Sequence, residues 1–225
     1  MGPCLQTWCG RCGFCLRRLE HGLRFICRAT SASEFADPAR YNHRVMHVDS
    51  HTLIVYSTID GHTRKICQSV QRFLEDSGHQ VVLMTVEEAI DRDCSGFSRI
   101  VIGASIRYGR HRPSLYDFIR KHRTTLGALP SAFFSVSGVA RHADKARPAG
   151  NPYFQKFVDQ AAWSPQLAAA FGGRIDYAQY RFMDRQMIRL IMWLTGGPTE
   201  LDQPVEFTDW SAVDAFALQI KNLQK

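Results

Sequence analysis

A short segment rich in hydroxyl side chains is the part of the sequence that most directly indicates chemistry. The stretch YSTIDGHT, residues 56–63, places a tight Asp-Gly turn between an apolar run and a helical pattern. The first turn of a helix has backbone N–H groups without intrahelical acceptors and carries the positive end of the helix dipole. Such a turn can hold a phosphate, with hydroxyls as added donors and glycine permitting close approach. The residues predicted to bind phosphate are Ser57, Thr58, Ile59, Asp60, Gly61, His62 and Thr63.

The pattern of this loop narrows the kind of phosphate site. It contains neither the G-x-x-x-x-G-K-[ST] of a Walker A loop nor the G-x-G-x-x-G of dinucleotide folds. A hydroxyl-rich loop with one glycine resembles the phosphate loop of flavodoxins, which bind FMN. A simple capped turn is the alternative interpretation.

Two further loops, GASIRYG (103–109) and SVSGVAR (135–141), follow predicted strands. In a flavodoxin-like sheet, loops at these places surround the isoalloxazine ring. Their backbone N–H groups can bond the pyrimidine edge of the ring, and Tyr108 can stack on it or flank it. A partly buried loop aromatic is the alternative for Tyr108. The residues predicted to contact the ring are Ser105, Ile106, Arg107, Tyr108, Gly109, Ser135, Val136, Ser137, Gly138 and Val139.

Positive charge is concentrated around these loops. Residues 99–147 hold ten Arg or Lys against Asp117 and Asp144, in a chain whose net charge is +7. Such an excess predicts an anionic partner, and a solvated basic face is the alternative. No nucleic-acid motif is recognisable and aromatic interleaving is sparse, so we expect no nucleic-acid partner.

The elements that must position these loops alternate along the chain. Apolar runs predict strands at 52–57, 80–86, 99–105, 131–137 and, more weakly, 167–175. Helical patterns follow at 63–77, at 113–126, around Tyr153 to Val158, and from about Asp209 to Leu223, with Thr208 or Asp209 as its cap. This alternation predicts a doubly wound α/β fold, a five-stranded parallel sheet with helices on both faces. In such sheets ligands bind beyond the carboxyl ends of the strands, where the three loops lie.

An apolar insertion, FMDRQMIRLIMWLTGG (182–197), precedes the last predicted helix. Its apolar arc contains Met183, Met187, Ile188, Leu190, Ile191, Met192 and Leu194, with Arg185, Gln186 and Arg189 on the opposite side. About 13 helical residues reach only ~20 Å, too short to span a bilayer. The helix can lie in a membrane interface or line a cleft. A helix packed in the core over the sheet edge is the alternative.

The N-terminal segment differs in composition from the rest. Residues 1–33 hold five Arg and one acid, a composition typical of a mitochondrial transit peptide. A mis-assigned start, with Met46 as the true first residue, is the alternative. The spacing Cys9-x2-Cys12-x2-Cys15 admits a metal or iron–sulfur site, but no second cysteine pair follows and we expect no metal. We therefore predict a disordered leader or extension at 1–48 and an FMN-binding catalytic domain at 49–225, with an insertion at 176–200.

Five segments together carry a closer family resemblance: STIDGHTRKI, IVIGASIRYG, PSAFFSVSGVAR, YRFMDRQMIRLIMWLTGG and EFTDW. Over residues 52 to about 220 the chain resembles the flavodoxin-like, quinone-dependent protoporphyrinogen IX oxidases of haem biosynthesis. The resemblance implies removal of six electrons and six protons from protoporphyrinogen IX. FMN would take the electrons in pairs and pass them to a membrane quinone, ubiquinone or menaquinone.

The implied substrate carries two propionates, and arginine suits carboxylate recognition. The candidates to bind them are Arg107, Arg110, Arg112, Arg141, Lys145 and Arg147. The resemblance gives no catalytic base. His111 and His142 lie in loops near the expected flavin edge, and surface histidines are the alternative interpretation of both.

Other functions compete with this one. A flavodoxin that only carries electrons should be acidic around its flavin and should lack the apolar insertion. Another flavodoxin-like quinone reductase, supplied by NAD(P)H, and a flavin-free scaffold are further alternatives. Peripheral membrane contact is expected, at the mitochondrial inner membrane if the leader is real and otherwise at a bacterial cytoplasmic membrane.

Overall fold

A parallel five-stranded sheet forms the centre of the computed structural model, which describes residues 51–180, 182–194, 196–197 and 204–224. The strands are β1 (His51–Ser57), β2 (Gln80–Thr85), β3 (Arg99–Ser105), β4 (Ser131–Ser137) and β5 (Leu167–Gly172). They pair in the order β2-β1-β3-β4-β5, with every pair parallel. The predicted doubly wound sheet is therefore confirmed. The predicted leader at 1–48 lies outside the described residues.

Helices follow the strands in turn. They are α1 (His62–Asp76), α2 (Val86–Ala89), α3 (Pro113–Lys121), α4 (Arg123–Ala128), α5 (Pro152–Ala161), α6 (Phe182–Leu194) and α7 (Trp210–Lys221). The predicted cap of the last helix is confirmed, because the Asp209 side chain accepts from the backbone N–H groups of Ser211 and Ala212. The predicted apolar helix before it is present as α6.

Two apolar cores cover the two faces of the sheet. Neighbouring residues of a strand point to opposite faces, and Phe133 and Phe134 of β4 do so. Phe133 stacks on Phe157 of α5 with ring centroids 3.9 Å apart. Phe134 packs in the other core, edge-on to Phe216 of α7. The sheet is thus rigidly held from both sides, which fixes where the loops beyond its strands lie.

Three boundaries differ from the sequence predictions. The helix predicted over 113–126 breaks at His122, whose ring packs on Phe118 and donates from Nε2 to the carbonyl of Ile90. The strand predicted to continue to residue 86 ends at Thr85, because Thr85 and Glu88 form a capping box that starts α2.

The strand predicted over 167–175 ends at Gly172, and the chain then leaves the sheet. Residues Arg174–Ile175 (β6) pair antiparallel with Val205–Glu206 (β7), which joins the two ends of the insertion. A Cβ at Gly172 would lie 2.2 Å from the carbonyl oxygen of Phe207, so this crossing requires glycine.

Candidate functional site

The phosphate loop connects the end of β1 to the start of α1. Gly61 takes the left-handed conformation, with φ of +78°, and donates from its backbone N–H to Thr58 Oγ1 at 3.1 Å. No side chain among the described residues caps α1. Its first-turn N–H groups therefore stay available to an anion at the carboxyl edge of the sheet.

Buried polar atoms in this loop test whether it suits a phosphate. The hydroxyl of Thr63 belongs to a residue that is about 1% exposed, and it has no hydrogen-bond partner among the described residues. Leaving such a group unmatched costs free energy, which a phosphate accepting from it would remove. The loop therefore fits the phosphate that the sequence predicted.

His62, the first residue of α1, joins the loop to a distant part of the chain. Its Nε2 lies 2.6 Å from Thr208 Oγ1, and that hydroxyl donates to the carbonyl of Gly172 at 2.8 Å. Because the Thr208 proton is used there, Thr208 accepts from Nε2–H of His62. Burial lowers the pKa of His62, and the charge of Glu206 only partly opposes this, so the ring is neutral at pH 7.

The loop after β3 turns back as a tight hairpin. Arg107 and Arg110 exchange backbone hydrogen bonds of 3.0 and 3.1 Å around Tyr108 and Gly109. Both turn residues have positive φ, 51° and 74°, as a two-residue hairpin turn requires. Tyr108 is consequently presented at the tip with 53% exposure. The alternative of a partly buried aromatic is wrong.

The loop after β4 approaches the same edge. Gly138–Arg141 forms a single 3₁₀ turn, and Arg141 donates to the carbonyl of Gly138 at 2.8 Å. Ser137 is buried, and its hydroxyl has no partner among the described residues. The backbone N–H of Ile106 bonds to the carbonyl of Val136 at 2.8 Å, so this loop and the hairpin are held together.

These loops enclose a cleft of about 780 Å³, large enough for a flavin and a second ring system. The predicted cofactor residues that line it are Thr58, Asp60, His62, Thr63, Ser105, Ile106, Arg107, Tyr108, Gly109, Val136, Ser137, Gly138 and Val139. Ser57, Ile59, Gly61 and Ser135 do not line it. Ser57 is buried at the end of β1 and Ser135 is buried within β4, whereas Ile59 points to solvent.

The predicted basic residues divide into two groups. Arg107, Arg141 and Lys145 line the cleft, whereas Arg110, Arg112 and Arg147 do not. Arg112 instead pairs with Glu87 at 3.1 Å on the surface. Arg107 is already held by two carboxylates, Asp60 at 2.7 Å and Asp184 at 3.2 Å. Its geometry makes it a link between elements rather than a free partner for a propionate.

Several cleft residues were missed by the sequence analysis. Tyr153, Arg174 and Tyr180 line the cleft, with Arg174 bonded to Asp176 at 3.0 Å. A signal for Arg174 existed, because it follows two glycines at the end of the fifth strand, the edge where the other loops lie. Tyr153 and Tyr180 had no comparable signal.

The two candidate histidines lie in different environments. His111 is 5% exposed, donates from Nδ1 to the carbonyl of Ser105, and packs edge-on against Phe133 and Phe157. Burial lowers its pKa to about 4. The interpretation of His111 as a surface residue is wrong, and it does not line the cleft. His142 is exposed and does line it.

Helix α6 forms an apolar wall of the cleft. Met187, Ile188, Ile191 and Met192 line it, and Met192 is the buried residue of the helix within its described side chains. The outward side chains of Phe182, Met183, Leu190, Trp193 and Leu194 are 55–74% exposed. Since so little of α6 is buried, the alternative of a core-packed helix is wrong.

None of the described helices has the length and hydropathy needed to cross a membrane. No group of three or more His, Cys, Asp or Glu side chains in the described part of the chain is arranged to hold a metal ion.

The sheet order, the hydroxyl-rich loop and the cleft define the class of protein. The family model for the flavodoxin domain matches residues 53–202, and a flavodoxin domain indicates flavin binding. A solved flavodoxin from the domain Archaea has a TM-score of 0.40 and 13% identity over 76% of this chain and 96% of that chain, too distant to bear on function.

Relatives of known name place the chain more narrowly. It is 41% identical over 172 residues to the protoporphyrinogen IX dehydrogenase [quinone] of Escherichia coli K12, covering 76% of this chain and 95% of that protein. It is 39% identical over 166 residues to the protein of the same name from Leishmania major, covering 73% and 72% respectively. The chain belongs to the flavodoxin-domain family that contains these dehydrogenases.

Proposed function

We propose that this chain oxidises protoporphyrinogen IX to protoporphyrin IX. FMN would accept the electrons first, and a quinone would be the final electron acceptor. The single observation that carries the proposal is a cleft with a phosphate loop and an apolar helix, in a chain 41% identical to a dehydrogenase of that name. The class is an oxidoreductase.

The described residues of the cleft suit both the phosphate and the ring of FMN. Thr58 to Thr63 would hold the phosphate, and the backbone of 105–109 and 137–139 would hold the ring. FMN, when bound, supplies reversible two-electron redox chemistry. The protein itself supplies orientation and an apolar wall that limits water at the ring.

The substrate end of the cleft is positively charged. Arg141 and Lys145 line it beside the exposed His142. Porphyrinogen propionates would be oriented by these side chains, while the apolar macrocycle would contact Ile188 and Ile191. This charge also argues against an electron carrier of the flavodoxin type, for which an acidic surround is expected.

Membrane contact is part of the proposal. The outward residues of α6 include Phe182 at 72% and Trp193 at 69% exposure, and large aromatic side chains favour the membrane interface. A quinone dissolved in lipid would then meet the cleft at the same helix. The choice between a mitochondrial and a bacterial membrane rests on residues 1–48, which lie outside the described residues, and stays a prediction from the sequence.

The experiment that tests the function is an anaerobic assay of the full chain with FMN, protoporphyrinogen IX and a short-chain quinone. We expect porphyrin fluorescence to rise only when both FMN and the quinone are present. Fluorescence that never rises, with FMN demonstrably bound, would overturn the proposed activity and leave a carrier or another quinone reductase.

A further inference from the structure

Three charged side chains from distant parts of the chain meet beside the cleft. Arg107, in the hairpin after β3, bonds to Asp60 of the phosphate loop at 2.7 Å and to Asp184 of α6 at 3.2 Å. The Tyr108 hydroxyl also donates to Asp184. The guanidinium lies over the rings of Tyr108 and Tyr180, at 5.4 and 5.1 Å from their centroids.

The side chains of this network are more shielded from solvent than those of the ion pairs on the surface. The Arg107 side chain is 18% exposed, and its two carboxylates are 34% and 32% exposed. The pair of Lys121 and Asp91, by contrast, is 51% and 84% exposed. Exposed ion pairs contribute little to stability because water and salt screen them. A shielded arginine bonded to two carboxylates holds the three side chains in a defined geometry.

A second contact joins the phosphate loop to the other end of the insertion. His62 bonds to Thr208, which lies just after β7, and Thr208 bonds to Gly172 at the end of β5. Asp60 and His62 are two residues apart in one loop. The loop that would hold the phosphate therefore contacts the start of α6 through Arg107 and the return segment of the insertion through Thr208.

Helix α6 depends on such polar contacts because little apolar surface holds it. Met192 is its buried residue, and its small apolar cluster contains Ile175 and Tyr177 as the other buried members. Elements with few buried contacts open at low free energy. A change in the phosphate loop can therefore shift the position of α6, which forms one wall of the cleft.

We infer that Arg107 and Asp184 are positioning residues that couple phosphate binding in the loop to the placement of α6 over the cleft. The inference rests on the proposed function, because FMN is taken to supply the phosphate. A phosphate that orders residues 58–63 fixes Asp60, which fixes Arg107, and Arg107 then holds Asp184. By linkage, loss of the Asp184 contact should weaken the effect of the phosphate on α6.

Limited trypsin digestion of the full chain gives a direct readout. Arg185 and Arg189 are cleavage sites within α6, so peptides released there, measured by mass spectrometry, report opening of the helix. The comparison is between saturating FMN and saturating riboflavin, which has the same ring without the phosphate. We expect FMN to slow cleavage at these sites by about fivefold or more relative to riboflavin.

The variant that tests the coupling is Asp184→Asn, because Asp184 does not line the cleft. We expect the FMN-to-riboflavin ratio to fall to about one in Asp184→Asn and to recover in Asp184→Glu. Using the ratio removes any change in the intrinsic stability of α6. The matched control is Glu87→Gln, which breaks the surface pair with Arg112 and should keep the wild-type ratio.

Failure of the proposed function and failure of the coupling alone would give different results. If FMN does not bind the wild type, measured by quenching of flavin fluorescence, the proposed function fails and this inference fails with it. If FMN binds and Asp184→Asn keeps the wild-type ratio, the inference alone is overturned. Tyr108→Phe, which removes the second contact to Asp184, provides an independent variant and should lower the ratio partially.

Discussion

At the scale of single residues, Lys145 gives the most direct test of substrate recognition. It lines the cleft in the loop that follows β4. A hydrogen bond to a charged group contributes about 1.5–3 kcal/mol, so Lys145→Gln should raise KM for protoporphyrinogen IX about tenfold, with a smaller change in kcat. Steady-state kinetics checks this. Arg147→Gln, on the same loop but outside the cleft, is the matched control, and equal effects of the two substitutions would contradict the assignment.

A second residue-scale prediction concerns pH and His111. Its pKa is about 4 in the folded protein because burial disfavours the charged ring, against about 6.5 when unfolded. The unfolded chain therefore binds more protons between these values, and the stabilising contribution is complete above pH 6.5 and is lost as the pH falls toward 4. The loss is up to about 3 kcal/mol.

Urea unfolding of wild type and His111→Asn across this range measures the effect, since asparagine can still donate to the carbonyl of Ser105. We expect the variant to have a shallower dependence of unfolding free energy on pH. His142→Gln, at an exposed position, should keep the wild-type slope. An unchanged slope in His111→Asn would show that another group carries the titration.

At the residue scale, the sequence predicted the loop residues of the site but not the roles of Arg107 and His111. The loop residues could be predicted because residues with hydroxyl side chains, glycines and basic residues come directly after apolar strands. The role of Arg107 could not, because Asp60 and Asp184 are 47 and 77 positions away in the sequence. His111 looked like a surface residue because only the packed aromatic rings around it reveal its burial.

At the scale of elements, the crossing at Gly172 fixes where the insertion leaves the sheet. A Cβ there would lie 2.2 Å from the Phe207 carbonyl oxygen, so Gly172→Ala must displace the return strand. We expect it to lower the free energy of unfolding by about 1–3 kcal/mol and to weaken flavin binding. Chemical denaturation and flavin titration measure the two effects.

Gly127→Ala in α4 is the control for that substitution. A Cβ at Gly127 meets nothing within 4 Å, so the change should be neutral or stabilise by up to about 1 kcal/mol. Similar losses of unfolding free energy for both variants would mean that the close contact of Gly172 with Phe207 does not cause the effect.

At the element scale β1, β2 and β3 were predicted well because each is a short run rich in β-branched residues with polar boundaries. The two strand ends that differ from the prediction have physical causes in the structure. The capping box of Thr85 and Glu88 ends β2 early, and the contact of Gly172 with Phe207 ends β5. The second of these depends on residues far apart in the sequence, which periodicity cannot detect.

At the scale of the whole molecule, the apolar outer surface of α6 predicts membrane binding. Leu190 and Trp193 are 55% and 69% exposed and lie outside the cleft. Burying each such side chain contributes up to about 1.5–3 kcal/mol, so the double variant Leu190→Gln, Trp193→Gln should reduce vesicle binding at least tenfold. Cosedimentation with vesicles containing anionic lipid measures it.

The matched control for vesicle binding is Leu218→Gln on α7, which is 48% exposed. It should bind vesicles as the wild type does. If both variants bind equally well, α6 is not the membrane surface, and its exposed apolar side chains serve another partner.

The central claim is that one flavin site takes electrons from protoporphyrinogen IX and gives them to a quinone. The most direct measurement is anaerobic stopped-flow absorbance of the FMN-loaded full chain, first mixed with protoporphyrinogen IX and then with a short-chain quinone. We expect rapid loss of the oxidised flavin band in the first mix and its return in the second. A flavin that stays oxidised with the substrate, yet is reduced by another donor, would contradict this claim.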